Sequence, residues 1–191
     1  MKDPAAMKIL YVHGFGSHFD PNHEKIKLLE TLGEVVGVDV DYCKGFHHVF
    51  ETVRKAATEE HVDLIVGTSM GGYMAAHVGS ETGLPFVALN PAVQPSITLQ
   101  KWTGCFTDYV GNDHYLSENV ADAYPDIATT GCGLVIVESA DEVIPARTTM
   151  EMLEDVFHVE MFPGGSHRFT HMKQALPMIQ AHMARAAGYG L

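Results

Sequence analysis

The sequence predicts an α/β fold of about six parallel strands with helices on both faces and an inserted lid. Three observations lead there. Short, β-branched apolar runs alternate with segments of helical periodicity along most of the chain. One long stretch, residues 90–133, breaks that alternation. The length of 191 residues suits a single domain, residues 1–191, and an α/β domain of this size buries roughly 70% of its unfolded surface.

Each element can be read in turn. Lys8–Val12 is a short apolar run and predicts the first strand. Residues 21–32 follow as a helix, with Asp20 and Pro21 as N-cap and first-turn pair and Gly33 as its stop. Residues 35–40 predict a strand, 47–60 a helix, and 62–66 a strand rich in Val, Leu and Ile. A helix begins at Gly71 and is stopped by Gly83 and Pro85. Strands at 85–89, 134–138 and His158–Phe162, with helices at 146–156 and 170–187, complete the pattern. Such βαβ repetition demands a parallel sheet.

Within 90–133, Pro91, Pro95, Gly104, Gly111 and Pro125 interrupt a segment carrying Trp102, Phe106, Tyr109, Tyr115 and Tyr124. A stretch of that length without its own rhythm either holds function or conceals short helices. It is read as a lid, with Trp102, Phe106 and Tyr109 the candidates for substrate contact. At the other end of the chain, Met1 to Ala6 lack the apolar core of a signal peptide, and Met7 directly precedes the first strand. Residues 1–6 are therefore read as an appended leader and the protein as cytoplasmic.

Composition narrows the function classes. The net charge is −12, and Lys and Arg form no cluster beyond pairs such as Arg54-Lys55, so neither a nucleic-acid nor an anionic-membrane partner is expected. Cys43, Cys105 and Cys132 are odd in number and lack metal-ligand spacing, which fits reduced thiols better than a disulfide framework. The histidines at 13, 18, 23, 47 and 48 show no HExxH or related pattern, so no metal is expected.

The chemistry concentrates in Gly67-Thr68-Ser69-Met70-Gly71. A Gly-x-Ser-x-Gly pentapeptide between an apolar strand and a helix is the pattern of a nucleophile elbow, where serine occupies a strained turn and side chains at the flanking positions would clash. Ser69 is the candidate nucleophile. A serine hydroxyl needs a base, and the base an orienting acid. Asp141 lies just beyond the 134–138 strand, and His167 lies in the Gly-rich loop after the last strand. The order Ser69, Asp141, His167 selects this histidine from the 12 in the chain. Glu142 competes with Asp141 for the acid's role, but its side chain should point elsewhere.

Attack on a carbonyl also needs preorganised N–H donors for the oxyanion. Met70, next after the nucleophile, offers one backbone N–H; the His13-Gly14-Phe15 turn after the first strand offers a second, from Phe15.

At this point five segments resemble a family. Tyr11-Val12-His13-Gly14-Phe15, Gly67 to Tyr73, Asn90-Pro91-Ala92-Val93, Asp141-Glu142-Val143 and Gly164 to Phe169 look like the α/β-hydrolases and, within them, the small bacterial YqiA-like esterases. The resemblance implies a compact α/β-hydrolase fold whose sheet starts at the strand before the oxyanion loop, with Ser69, Asp141 and His167 as a triad. The expected activity is hydrolysis of small, short-chain carboxylic esters through an acyl-enzyme, with no cofactor. A thioesterase or acyltransferase would use the same residues, and a non-catalytic binding protein on this fold is the alternative of a different class. A histidine base further predicts that activity falls on the acid side of its pH profile.

Overall fold

The computed structural model describes residues 7–188; the expected leader, residues 1–6, lies outside the described residues. Six strands form one wholly parallel sheet: β1 (Lys8–Val12), β2 (Glu34–Val38), β3 (Leu64–Thr68), β4 (Phe86–Leu89), β7 (Gly133–Glu138) and β8 (His158–Phe162). They stand in the order β2-β1-β3-β4-β7-β8. The second and third expected strands are displaced by one or two residues, because pairing with the neighbouring strands sets the ends: Val36 lies opposite Leu10, and Ile65 lies opposite both Leu10 and Phe86.

A parallel sheet covered on both faces buries alternate side chains in two separate cores. Leu10, Val12, Ile65, Phe86, Ala88, Val135 and Val137 point to one side, where α2 (Phe46–Glu59), α3 (Met70–Thr82) and α6 (Ala146–Leu153) pack. Ile9, Tyr11, Leu64, Val66, Val87, Leu89, Leu134 and Ile136 point to the other, against α1 (Glu24–Leu29) and α7 (Met172–Gly188). The helices therefore lie on both faces, as expected.

The first helix is shorter than its sequence suggests. Residues 21–23 form a turn, and the N-cap is His23, whose Nδ1 accepts from the Lys25 N–H at 3.1 Å, so Asp20 and Pro21 do not open the helix. Asp20 instead accepts from the Asn22 N–H at 2.8 Å, a local turn bond that competes with helix formation. Gly33 lies beyond the C-terminal end of α1, and a Cβ there would sit 2.4 Å from the Met7 carbonyl oxygen.

The 90–133 segment contains more than helices. It holds α4 (Pro95–Thr98), α5 (Glu118–Asp122) and an antiparallel hairpin of β5 (Gly104–Thr107) and β6 (Asp113–Leu116). Leu99, Leu116, Ala121, Tyr124 and Ile127 anchor it in the α2/α3 core. No helix among the described residues is long and apolar enough to cross a membrane.

Between α2 and α3, His77 packs edge-on to Phe46 and Tyr73, and its Nε2 has no hydrogen-bond partner among the described residues. Burial holds its pKa down at about 4, against a backbone hydrogen bond at Asp126 that raises it. Unfolded chains therefore protonate this ring first, and stability present above about pH 6.5 is lost as pH falls towards 4. From those two values the loss is on the order of 3 kcal/mol. Burial lowers His13 and His182 in the same sense. Urea titrations at pH 7 and pH 4.5 should show His77→Leu losing clearly less stability on acidification than the wild type; equal losses would show that His77 carries none of the acid sensitivity.

Candidate active site

The chain leaves β1 to one side to form β2 and returns to the other side as β3, so the strand order reverses at β1. In open α/β sheets the crevice outside the C-terminal ends of the strands at such a point receives the ligand. Two turns meet there, the His13-Gly14-Phe15 loop after β1 and the Ser69 turn after β3.

Ser69 joins β3 to α3 with φ 58° and ψ −121°, a conformation that non-glycine residues rarely adopt. The turn survives because its flanks have no side chains: a Cβ on Gly71 would lie 1.9 Å from the Val12 carbonyl oxygen, and one on Gly67 2.1 Å from that of Gly71. The Ser69 N–H donates to Leu89 O at 3.0 Å, and Ser69 O accepts from the Ala92 N–H at 3.2 Å. The hydroxyl thus projects from a turn fastened on both sides.

His167 Nε2 lies 2.8 Å from Ser69 Oγ, and its Nδ1 lies 2.9 and 3.0 Å from the two carboxylate oxygens of Asp141. The Asp141 side chain is 1% exposed and that of His167 17%. Asp141 Oδ1 also accepts from the N–H groups of Val143 and Ile144, both at 2.8 Å, which fixes the carboxylate's rotamer. The three expected residues are brought into one hydrogen-bonded row. Glu142 leaves the imidazole ring to Asp141 but stays at the same loop. Its Oε2 accepts from the His167 backbone N–H at 2.9 Å, and this bond lowers its pKa. It holds the histidine's main chain while Asp141 holds the ring.

The loop after β1 passes directly over the serine. A Cβ on Gly14 would stand 3.3 Å from Ser69 Cβ and 3.8 Å from its Oγ. His13 fixes this loop from below: its Nε2 accepts from the Val40 N–H at 3.0 Å, so its Nδ1 carries the proton and donates to Gly14 O at 2.8 Å. Burial lowers the pKa of this ring, in keeping with a neutral tautomer. The Tyr42 hydroxyl donates to His13 O at 2.6 Å. Phe15 then packs against Phe106, Trp102 and Tyr42. Met70, the other expected oxyanion donor, is the first residue of α3, where a backbone N–H has no partner within the helix.

These groups border a cavity of about 300 Å³. Trp102 and Tyr109 from the 90–133 segment line it, with Leu99, Val143, Ile144 and Ala92 as further apolar walls. Phe106, the third expected contact, stands behind the wall: it packs on Phe15 at 5.0 Å and stacks on His114 at 5.3 Å.

Three polar residues to which the sequence reading assigned no role hold the loops. Buried Asn90, at φ 44°, donates from Nδ2 to Ser166 O at 2.9 Å and accepts at Oδ1 from the Glu138 N–H at 2.8 Å. Glu138 is fully buried beneath the His167 loop. Lys25 Nζ donates to Thr68 Oγ1 at 3.1 Å and to Arg168 O at 2.7 Å. A polar residue at the end of an apolar strand, as at Glu138 and Asn90, is the one signal that sequence offers for such anchors.

Away from the cavity, Asp41, Cys43 and His114 bring potential metal-ligand atoms within 4.8 Å of one another. Burial pushes the Cys43 thiol up to about 12, which opposes the thiolate that a metal requires. His114 Nε2 is already bonded to Asp108 at 2.9 Å.

The fold and its ancestry agree with known proteins. Est1E from Butyrivibrio proteoclasticus is similar in structure, with a TM-score of 0.75 and 16% identity, over 98% of this chain and 90% of that one. A monoacylglycerol lipase of Paleococcus ferrophilus gives 0.68 and 15%, over 92% and 94%. This is the α/β-hydrolase fold. In sequence, a UPF0227 protein of Shewanella sp. strain MR-4 is 26% identical over 180 residues, covering 91% of this chain and 97% of its own. One from Vibrio cholerae is 26% identical over 183 residues, covering 92% and 99%. The model of the uncharacterised protein family UPF0227 matches residues 8–184, so the strands, the elbow and the loops that carry Asp141 and His167 all fall inside the match, and the chain belongs to that family.

Proposed function

We infer that this protein is a serine hydrolase that cleaves small carboxylic esters through an acyl-enzyme. The observation that carries the reading is the continuous row from Ser69 Oγ through the His167 ring to the Asp141 carboxylate, with separations of 2.8 and 2.9 Å. His167 Nε2 takes the proton of Ser69 as Oγ attacks the ester carbonyl. Asp141 keeps the Nδ1–H tautomer and stabilises the imidazolium as it forms. The backbone N–H groups of Phe15 and Met70 receive the oxyanion; each such donor contributes about 3 kcal/mol in enzymes of this type. His167 then protonates the leaving alcohol, and the same residues direct water at the acyl-enzyme. Each step uses side chains and amides of the chain itself.

A cavity of about 300 Å³ lies at the small end of ligand sites, which favours short acyl groups between Trp102 and Tyr109. The similar structures support ester chemistry on this fold: one is named a monoacylglycerol lipase, and Est1E has also been solved with ferulic acid bound. The test has two parts. The protein should hydrolyse p-nitrophenyl acetate and butyrate faster than longer homologues. An organophosphonate should add once, at the peptide containing Ser69, and block turnover. Failure of the wild type both to turn over and to be labelled would leave a binding protein as the better reading.

A further inference from the structure

The chain carries a net charge of −12, yet the cavity beside Ser69 is lined by Lys25, Lys101 and Arg168 together with His18 and His23, against one carboxylate, Asp20. Lys25 is only 8% exposed, and among the described residues no carboxylate pairs with it, with Lys101 or with Arg168. A buried ammonium held by a hydroxyl and a carbonyl alone is incompletely compensated. Its two acceptors are Thr68 and Arg168, the sequence neighbours of Ser69 and His167. The cation is therefore built into the same turns that hold the hydroxyl and the imidazole. At the mouth, the Arg168 guanidinium lies over the Tyr109 ring at 5.0 Å, and Lys101 Nζ lies 5.9 Å from the Trp102 ring, so the aromatic wall holds its cations in place.

From this juxtaposition we propose that the substrate carries an anionic group, a carboxylate or a phosphate, which Lys25, Arg168 and Lys101 bind while the ester lies against Ser69. The proposal rests on the hydrolase reading and narrows it to acidic esters. A positive cavity in an acidic surface would also concentrate such substrates over neutral ones.

The test compares matched pairs by kcat/KM. Mono-p-nitrophenyl adipate against p-nitrophenyl hexanoate places the charge on the acyl side; 4-acetoxybenzoate against 4-acetoxybenzamide places it on the leaving side. Substituting 4-acetoxyphenyl phosphate separates phosphate from carboxylate. The wild type should favour the anionic member of at least one pair by tenfold or more, and the advantage should shrink as salt rises. In the double variant Arg168→Gln, Lys101→Gln, whose positions are exposed, and separately in Lys25→Gln, that ratio should fall towards one. A purely structural role for Lys25 would lower both members together and leave the ratio intact.

A ratio near or below one in the wild type, or unchanged in both variants, overturns the proposal while Ser69-dependent turnover of neutral esters leaves the hydrolase reading standing. If no ester is turned over, the hydrolase reading fails by itself, and calorimetry with adipate and with inorganic phosphate then decides the anion site: binding weakened in the variants upholds it, and absence of binding overturns it.

Discussion

Ser69→Ala and His167→Ala should each lower kcat on p-nitrophenyl acetate by about 10⁵- to 10⁶-fold, and the double variant should be no worse than either single one. The non-additivity follows from the geometry. With Nε2 2.8 Å from Oγ, the base has one proton to take, and the hydroxyl has one base to give it to; removing either empties the same step. What remains comes from the oxyanion donors and from binding. Asp141→Asn should cost about 10⁴-fold with little loss of stability. An asparagine keeps an oxygen for the Val143 and Ile144 N–H groups but turns an NH₂ towards His167 Nδ1. The ring then moves its proton to Nε2, facing a hydroxyl that it can no longer deprotonate. Single-turnover rates with each variant check the order of losses. Activity in Ser69→Ala near that of the wild type would remove the nucleophile from the mechanism.

The sequence made legible those features whose causes are local. The four central strands, β1, β3, β4 and β7, are short apolar runs whose burial on both faces leaves an almost uninterrupted apolar pattern, and the elbow is readable because its two glycines frame the serine within five residues, even though the clash that Gly71 avoids is with Val12 on the neighbouring strand. What stayed hidden depends on distant partners. The β5/β6 hairpin has only four residues per strand and a largely exposed surface, so neither alternation nor apolar content marks it. Lys25 reads as an ordinary charged position of an amphipathic helix; only tertiary structure joins it to Arg168, 143 residues away. Asp20 and Pro21 have the chemistry of a helix start, yet the neighbouring turn takes the Asp20 side chain before a helix can use it. In the same way Glu142 is a solvated acid until the last loop brings the His167 N–H to it.

Glu138 is the hidden residue whose loss should be felt most. It ends β7 with 0% exposure, where a carboxylate is costly unless every lone pair is used. Its oxygens accept from the N–H groups of Ser166 at 2.6 Å, Thr170 at 2.7 Å and His171 at 2.7 Å. They also accept from His171 Nδ1 at 2.7 Å and Thr170 Oγ1 at 3.2 Å. These donors bracket His167, so one side chain beneath the sheet edge sets the path of the loop that presents the imidazole. Glu138→Ala strands all of them around a cavity and should cost about 3–5 kcal/mol, or roughly 10 °C in Tm for a chain of this size. Below its melting point the variant should still lose about 10²-fold in kcat, with KM little changed, because a histidine displaced by about 1 Å no longer meets Ser69 Oγ in line. Glu138→Gln separates the two roles. It keeps an oxygen for Thr170 and His171 and loses the acceptor for Ser166, so it should recover most of the stability and only part of kcat. A Glu138→Ala variant that melts within a degree or two of the wild type, or that keeps full kcat when folded, would show that the loop holds its course without this carboxylate.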